Sequence, residues 1–337
     1  MDKNNYHISS VVQSYLEELD YRYQHQGKPL GLSTGIKKLD EKIGGMRGGE
    51  VVLLAARPAM GKTSFAINLS YKIAKSFLEE KETNLNSNKC VLYFSMEIPK
   101  LPWIQRVISS KIPNVRTWQI CNFGYGTQSY EEFEKIANVG KELEKLPIYI
   151  CDDVALSINN IKDKIKEISQ YSTIGFVVID YLQLVYTGNY SAFNQNFIVM
   201  QELESIATKL NIPMLILFQL NREADDREDQ RPLLSDIRGD FSNGISHFDK
   251  ILFLYREYYY LRWDEPQRDS KEAEEHFQKR MEKWEKRCKE IENECEIIVG
   301  QNRYGSTGTV KCFFDIDNGT FDDSEHSDEE LPDYIPF

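Results

Sequence analysis

The sequence predicts an α/β fold, a mostly parallel twisted sheet with helices on both faces. Two observations predict it. From residue 50 onward, short apolar runs alternate with helical stretches, and strands that alternate with helices build βαβ units around a sheet covered on both sides. The first of these runs also leads directly into a Gly-Lys-Thr loop that opens a helix.

The expected strands are Val51–Ala55, Val91–Ser95, Ile148–Cys151, Phe176–Asp180, Met214–Phe218 and Ile251–Tyr255. Helical segments at Ser64–Phe77, Ile158–Gln170 and Asn196–Leu210 lie between them. Glu296–Gly300 and Gly308–Phe314 flank a turn region and read as a C-terminal β-hairpin. Upstream, residues 8 to 25 read as an amphipathic helix, because Ile8, Val11, Val12, Tyr15, Leu16 and Leu19 share one face. Gly27, Pro29 and Gly31 then break it. Such a stripe has to pack on something: its own domain is the plain expectation, a neighbouring subunit the sharper one. Residues 264 to 294, rich in Glu, Lys and Arg, read as a charged, solvent-exposed helix inserted before the hairpin. The chain thus divides into a linker helix (1–28), a main domain (29–321) and an acidic tail (322–337). The tail is expected to be disordered, since it cannot bury enough apolar surface.

Composition narrows the class of protein. A hydrophobic content of 41% supplies a sizeable core. No stretch reaches the ~18 apolar residues of a membrane span, and the opening Met1-Asp2-Lys3-Asn4-Asn5 has no signal-peptide pattern. The expectation is a soluble cytoplasmic protein. Cys90, Cys121, Cys151, Cys288, Cys295 and Cys312 form no C-x-x-C pair and no zinc spacing, so they are expected to be reduced, mostly buried thiols. The net charge of −12 excludes a surface that attracts nucleic acid everywhere. Seven of the acids sit in the tail, which leaves the rest of the chain at −5. A nucleic-acid channel in this chain needs a local basic strip.

Four segments carry chemistry. Ala56-Arg57-Pro58-Ala59-Met60-Gly61-Lys62-Thr63, with Ser64 after it, follows a buried-type strand and opens a helix. This is the P-loop arrangement with Ala56 in place of the first glycine. Backbone N–H groups and a helix N-terminus cradle phosphates, Lys62 reaches the β- and γ-phosphates, and the Thr63 hydroxyl holds Mg²⁺. Phe176-Val177-Val178-Ile179-Asp180 is an apolar strand ending in an acid, the Walker B form whose carboxylate supports the metal. Tyr93-Phe94-Ser95-Met96-Glu97 is another strand running to an acid. Glu97 either polarises the attacking water or is a solvated strand-end carboxylate. Gln219 ends the strand of Ile216-Leu217-Phe218, and its amide can report the γ-phosphate without adding fixed charge.

Taken in order, these segments resemble the DnaB-type replicative helicases. The similarity is carried by Ala56–Thr63, Ser95-Met96-Glu97, Ile179-Asp180-Tyr181-Leu182-Gln183-Leu184 and Gln219-Leu220-Asn221-Arg222. It continues in Arg231-Pro232, Ser235-Asp236-Ile237-Arg238 and Arg303-Tyr304-Gly305-Ser306-Thr307-Gly308-Thr309-Val310, and includes the lead-in Leu32-Ser33-Thr34-Gly35-Ile36 with Leu39-Asp40. It covers roughly residues 27 to 323.

The resemblance implies a RecA-like motor with ATP and Mg²⁺ as cofactors, a homohexameric ring with ATP at subunit interfaces, and 5′→3′ translocation on single-stranded DNA in replication. It implies Lys62, Glu97, Gln219 and Arg303 as catalytic residues, with Arg303 as an arginine finger acting on a neighbour's ATP. Thr63 and Asp180 are implied for the metal, and Arg106 for the nucleotide. Channel-facing loops at Thr187 to Asn196 and Arg222 to Gly244 are the expected DNA contacts, through Arg222, Arg231 and Arg238, with Arg227 and several acids in the same stretch. Primase and a helicase loader are the implied partners.

The sequence departs from the family at four places. An N-terminal helical domain is expected to be missing. Gln301 replaces a lysine two positions before Arg303. The stretch Phe241 to Asp249 is one residue longer, and the 264–294 insertion is long. The ending Asp333-Tyr334-Ile335-Pro336-Phe337 resembles the C-terminal tip of single-strand-binding proteins, and implies binding to the partners that such tips engage. A non-unwinding accessory paralogue that binds ATP and DNA is the alternative function, and another RecA-like ATPase such as a recombinase is a third.

Overall fold

A computed structural model describes residues 7–112, 115–123, 129–187, 192–237 and 241–323. Arg238 and residues 324–337, with the tail's terminal motif, lie outside them. Element order is α1 (Ile8–Gln24), α2 (Lys37–Ile43), β1 (Val51–Ala56), α3 (Lys62–Thr83), β2 (Lys89–Ser95), α4 (Lys100–Ser109), α5 (Thr117–Cys121), α6 (Tyr130–Leu143) and β3 (Ile148–Cys151). There follow α7 (Ile158–Ile168), β4 (Thr173–Asp180), α8 (Ala192–Leu210), β5 (Met214–Gln219), β6 (Lys250–Tyr255), α9 (Glu257–Leu261), α10 (Glu274–Ile291), β7 (Glu294–Asn302), β8 (Gly308–Asp315) and β9 (Thr320–Asp323).

The strands form one nine-stranded sheet in the order β3-β2-β4-β5-β1-β6-β7-β8-β9. Pairings among β1 to β6 are parallel, and β7 to β9 extend the sheet antiparallel from β6. All six expected strands are present, each matching its expected span or extending it at one or both ends, and the expected hairpin is β7–β8. Period two then sorts the core. Val52, Leu54 and Ala56 face α2, α3 and α4, packing against Leu39, Phe65, Ala66, Trp103 and Val107. Val51, Leu53 and Ala55 face α7 and α8, packing with Ile161, Ile165, Leu203 and Ala207. β1, buried along its whole length, is the spine of the molecule.

Four expectations need correction. Asp322 and Asp323 are not tail but strand: Phe321, just before them, is buried against Phe65 and Phe314, and Asp323 Oδ1 accepts the N–H of Lys37 at 2.8 Å. Only Glu274–Ile291 of the insertion is helical, starting where Glu274 and Glu275 favour the first turn. It is also tethered, by Trp284 Nε1 donating to Leu261 O at 2.8 Å and by Arg287 paired with Glu257 at 2.6 Å. The helix α1 buries none of its residues, so its apolar stripe is not packed on the described residues of its own domain. All six cysteines are free as expected, but only Cys90, Cys295 and Cys312 are buried. Among the described residues, no helix is long and apolar enough to cross a membrane.

Candidate nucleotide site

Strand register assembles the site at the carboxyl ends of the parallel strands, where such sheets bind ligands. Ala56, the last residue of β1, pairs with Gln219, the last of β5. Ser95, the last of β2, pairs with Asp180, the last of β4, which sets Glu97 two residues beyond the sheet edge. Between them the P-loop turns with positive φ at Ala59 (64°) and Gly61 (95°). Gly61 is the N-cap of α3, and a Cβ there would stand 3.0 Å from both Phe314 Cζ and Phe321 Cζ. The free N–H groups of the first turn of α3 face the loop's mouth.

A cavity of about 420 Å³ opens there, lined by Pro58, Ala59, Gly61, Lys62, Thr63, Ser64, Glu97, Arg106 and Gln219 among the expected residues. Lys62 folds across the loop, donating to Ala56 O at 3.0 Å and Arg57 O at 3.4 Å. Burial lowers its pKa to about 8, against the attraction of Asp180 and Glu97. Gln219 is held at both backbone ends by Gln183, whose Nε2 donates to Gln219 O at 2.8 Å and whose Oε1 accepts the Gln219 N–H at 3.4 Å.

Three expected phosphate-loop residues do not line the cavity. Ala56 is buried in β1, and Met60 is buried in the core on the α3 side. Arg57 turns away to clamp Asp225 through Nε (3.0 Å) and Nη2 (2.7 Å), while its Nη1 donates to Leu220 O at 2.9 Å. Conversely, Asn68, Thr117, Ile316, Asn318 and Gly319 line the cavity although they belong to none of the sequence motifs. Asn68 Nδ2 bridges Ser64 O (3.0 Å) and Gly319 O (2.6 Å), which ties α3 to the β8–β9 turn. No local signal marks these residues, because Asn68 and Gly319 are 251 positions apart.

The donor set fits a divalent cation. Asp180 is fully buried, and burial raises its pKa to about 6. Its Oδ2 accepts from Tyr93, and the Thr63 hydroxyl acts on the same carboxylate, yet among the described residues Oδ1 has no hydrogen-bond partner. An unsatisfied buried carboxylate oxygen beside a threonine hydroxyl suits a hard, oxygen-seeking ion.

Arg303 stands elsewhere. It follows β7, whose Asn302 pairs with Lys250 at the start of β6, and its N–H donates to Asp249 O at 2.8 Å. Asp249 also meets Val51, the first residue of β1, so Arg303 lies at the opposite end of the sheet from the P-loop. The Arg303 side chain is 42% exposed, and its guanidinium is held by Asp249 Oδ1 (3.0 Å) and Ser246 O (2.7 Å). Gln301 is turned inward, donating to Phe248 O at 2.7 Å.

The expected DNA-contact arginines separate. Arg222 is exposed just beyond β5. Arg227 is paired with Asp236 at 2.7 Å. Arg231 grips Glu296 through Nε (2.7 Å) and Nη2 (2.6 Å) and lies 4.8 Å over the Tyr255 ring. The Glu296 hydrogen bonds raise its pKa further. Arg238 and residues 188–191 are outside the described residues.

Comparison with known proteins agrees with this architecture. Residues 31–323 match the DnaB-like helicase C terminal domain. The chain is 31% identical over 322 residues to the replicative DNA helicase DnaB of Rickettsia bellii, covering 93% of this chain and 62% of that protein. It is 31% identical to a probable plasmid replicative DNA helicase of Chlamydia psittaci (93% and 60%) and 30% identical to the DnaB of Geobacillus stearothermophilus (90% and 59%). The chain thus spans about six-tenths of the length of these relatives. Among solved structures it resembles a DnaB-like replicative helicase studied for its interactions with primase, with a TM-score of 0.73 at 27% identity, covering 96% of this chain and 68% of that one. It also resembles a separately solved ATPase domain, with a TM-score of 0.76 at 27% identity, covering 95% and 100%. The fold, the phosphate loop at the strand ends and these matches together place the chain in the DnaB-like helicase C-terminal domain family.

Proposed function

We propose that this chain is the motor of an ATP-dependent 5′→3′ DNA helicase or translocase that serves replication as a hexameric ring. One observation supports the reading: the P-loop cluster and Arg303 lie at opposite ends of one sheet. Lys62, Thr63, Glu97 and Gln219 line the cavity at the carboxyl ends of the strands and Asp180 ends β4 beside them, while Arg303 is held at the start of β1. Five residue steps along β1 separate the two ends, roughly 16 Å at a strand's rise. An arginine so placed serves the nucleotide of a neighbouring copy, and a closed ring supplies such a neighbour to every copy.

The residues then have distinct tasks. The P-loop amides and the α3 N-terminus bind the phosphates, and Lys62 offsets their charge. Glu97 accepts a proton from the attacking water, and Gln219 hydrogen-bonds the γ-phosphate. Arg106 adds positive charge at the cavity wall. Mg²⁺, held by Thr63 and Asp180, would supply charge neutralisation between the phosphates. Arg303 from the next copy stabilises charge as the γ-phosphoryl group leaves. Arg222 and the loop that contains Arg238 track the DNA backbone. The exposed stripe of α1 covers the adjacent copy and helps close the ring. Primase or a loader engages the whole assembly, in line with the primase interactions of one structural relative.

The test is ATP hydrolysis with and without single-stranded DNA, together with strand displacement on a forked duplex and an E97Q control. DNA-stimulated hydrolysis and unwinding, both lost in E97Q, are expected. ATP binding without stimulated turnover or unwinding would overturn the reading.

A further inference from the structure

Tyr93 has no exposed surface, and its hydroxyl donates to Asp180 Oδ2 at 2.9 Å. Register brings them together. Tyr93 pairs with Val178, and Asp180 follows two residues along β4 on the same face, about 6.6 Å away, which a tyrosine ring spans. The ring is immobilised from the side by Trp103 of α4, itself buried, with centroids 5.5 Å apart and planes at 75°. Phenylalanine would fill this space as well. A hydroxyl buried here costs desolvation that only a good acceptor offsets, so its presence points to the carboxylate.

The effect on Asp180 is one of orientation. The terminal torsion of an aspartate is broad and roughly two-fold, so a carboxylate without a fixed donor has two interchangeable oxygens. Here Oδ2 is occupied by Tyr93, and Oδ1 has no hydrogen-bond partner among the described residues. We propose that Tyr93 is a positioning residue of the metal–nucleotide site, whose hydroxyl holds Asp180 so that Oδ1 is the oxygen offered to a divalent cation bound with ATP. Tyr93 does not line the cavity, so it acts through Asp180. The inference rests on the ATP–Mg²⁺ reading above.

The test titrates Mg²⁺ against the full chain with a fluorescent ATP analogue and compares wild type, Y93F, D180N and Y93F/D180N. Thermal melting first establishes that each folds, and Tyr93→Met provides a second donor-free side chain. The Mg²⁺ midpoint of Y93F is expected to rise roughly tenfold, within the range of one charge-assisted hydrogen bond. Analogue binding in EDTA should stay within about twofold of wild type. In the D180N background the Y93F effect should vanish, because the residue it acts through is already neutral. An unchanged or lower midpoint in both donor-free variants overturns the proposal, as does an equal shift with and without Asp180, which marks a structural role. If wild-type binding shows no Mg²⁺ dependence, the ATP–Mg²⁺ reading fails with it; if that dependence is normal and Y93F matches it, only the role of Tyr93 fails.

Discussion

Arg303 and Asp249 meet twice: the arginine N–H donates to the aspartate carbonyl at 2.8 Å, and Nη1 stands 3.0 Å from Oδ1. Asp249 is itself fixed, because its Oδ2 accepts the Val51 N–H at 2.9 Å. The strand that leads into the phosphate loop therefore begins at the carboxylate that holds the arginine proposed to act on a neighbour's nucleotide. R303A is expected to lower DNA-stimulated hydrolysis on the order of 10³-fold while analogue binding persists. D249N keeps an acceptor for Val51 but loses the ion pair, and should lower the same rate roughly 10–100-fold through misplacement of the finger. Mixing R303A with E97Q copies should recover turnover, since each supplies what the other lacks across an interface. No recovery at any ratio would refute action in trans.

The free-protein pH profile follows from two buried groups. In their proposed roles Asp180, raised to about 6 by burial, has to be ionised to hold a metal, and Lys62, lowered to about 8 by burial, has to be protonated to meet phosphate. kcat/KM for ATP is expected to be bell-shaped, with an acid limb near 6 and an alkaline limb near 8. The stability effect of Asp180 has the opposite sense to its functional one. A carboxyl raised in the folded state contributes stability below its unfolded pKa and loses it as pH rises through about 6. D180N should therefore melt higher than wild type at about pH 8 in EDTA, with the difference shrinking toward about pH 4. A D180N protein that melts lower under the alkaline condition would contradict this.

Gly61 has φ of 95° and two phenylalanine edges 3.0 Å from where a Cβ would stand. G61A faces both backbone strain and a clash with Phe314 and Phe321, which hold β8 and β9 against α3. A loss of roughly 1–3 kcal/mol is expected in denaturant melts, together with impaired analogue binding. Full stability with normal binding would show that the loop reaches the site by another conformation.

Arg231 and Arg222 should behave differently. Glu296 is buried, and R231A leaves its carboxylate unpaired, while Arg231 itself is 30% exposed. Allowing for solvent screening of the arginine, a stability loss of roughly 2 kcal/mol is expected, with little change in the salt dependence of single-strand binding. R222A should leave melting unchanged and reduce the slope of log K against log salt by about 0.7, the share of one phosphate contact on a single strand. The reverse pattern would make Arg231 the DNA contact.

The strands, the hairpin, the P-loop and the strand-end residues Asp180 and Gln219 are all legible in the sequence, because hydrophobic period and turn chemistry are local properties of the backbone. Register then gathers Ala56, Gln219, Ser95 and Asp180 at one edge, because parallel strands align their carboxyl ends. The tertiary structure alone decides which side chain meets which. The P-loop motif puts Arg57 at the phosphates, yet it clamps Asp225, 168 positions away. The family resemblance puts Arg231 at DNA, yet it grips Glu296, 65 positions away. The α1 stripe is legible as a face, but its lack of a partner among the described residues of its own domain is not. Asn68 and Asn318 carry no motif at all, and nothing in the strand pattern of Tyr93 announces its bond to Asp180. Their surroundings come from elements brought together by sheet order, and burial then lowers the pKa of Lys62 and raises that of Asp180. Periodicity reports which way a residue faces, whereas its partner and its pKa are fixed by what the folded chain places opposite it.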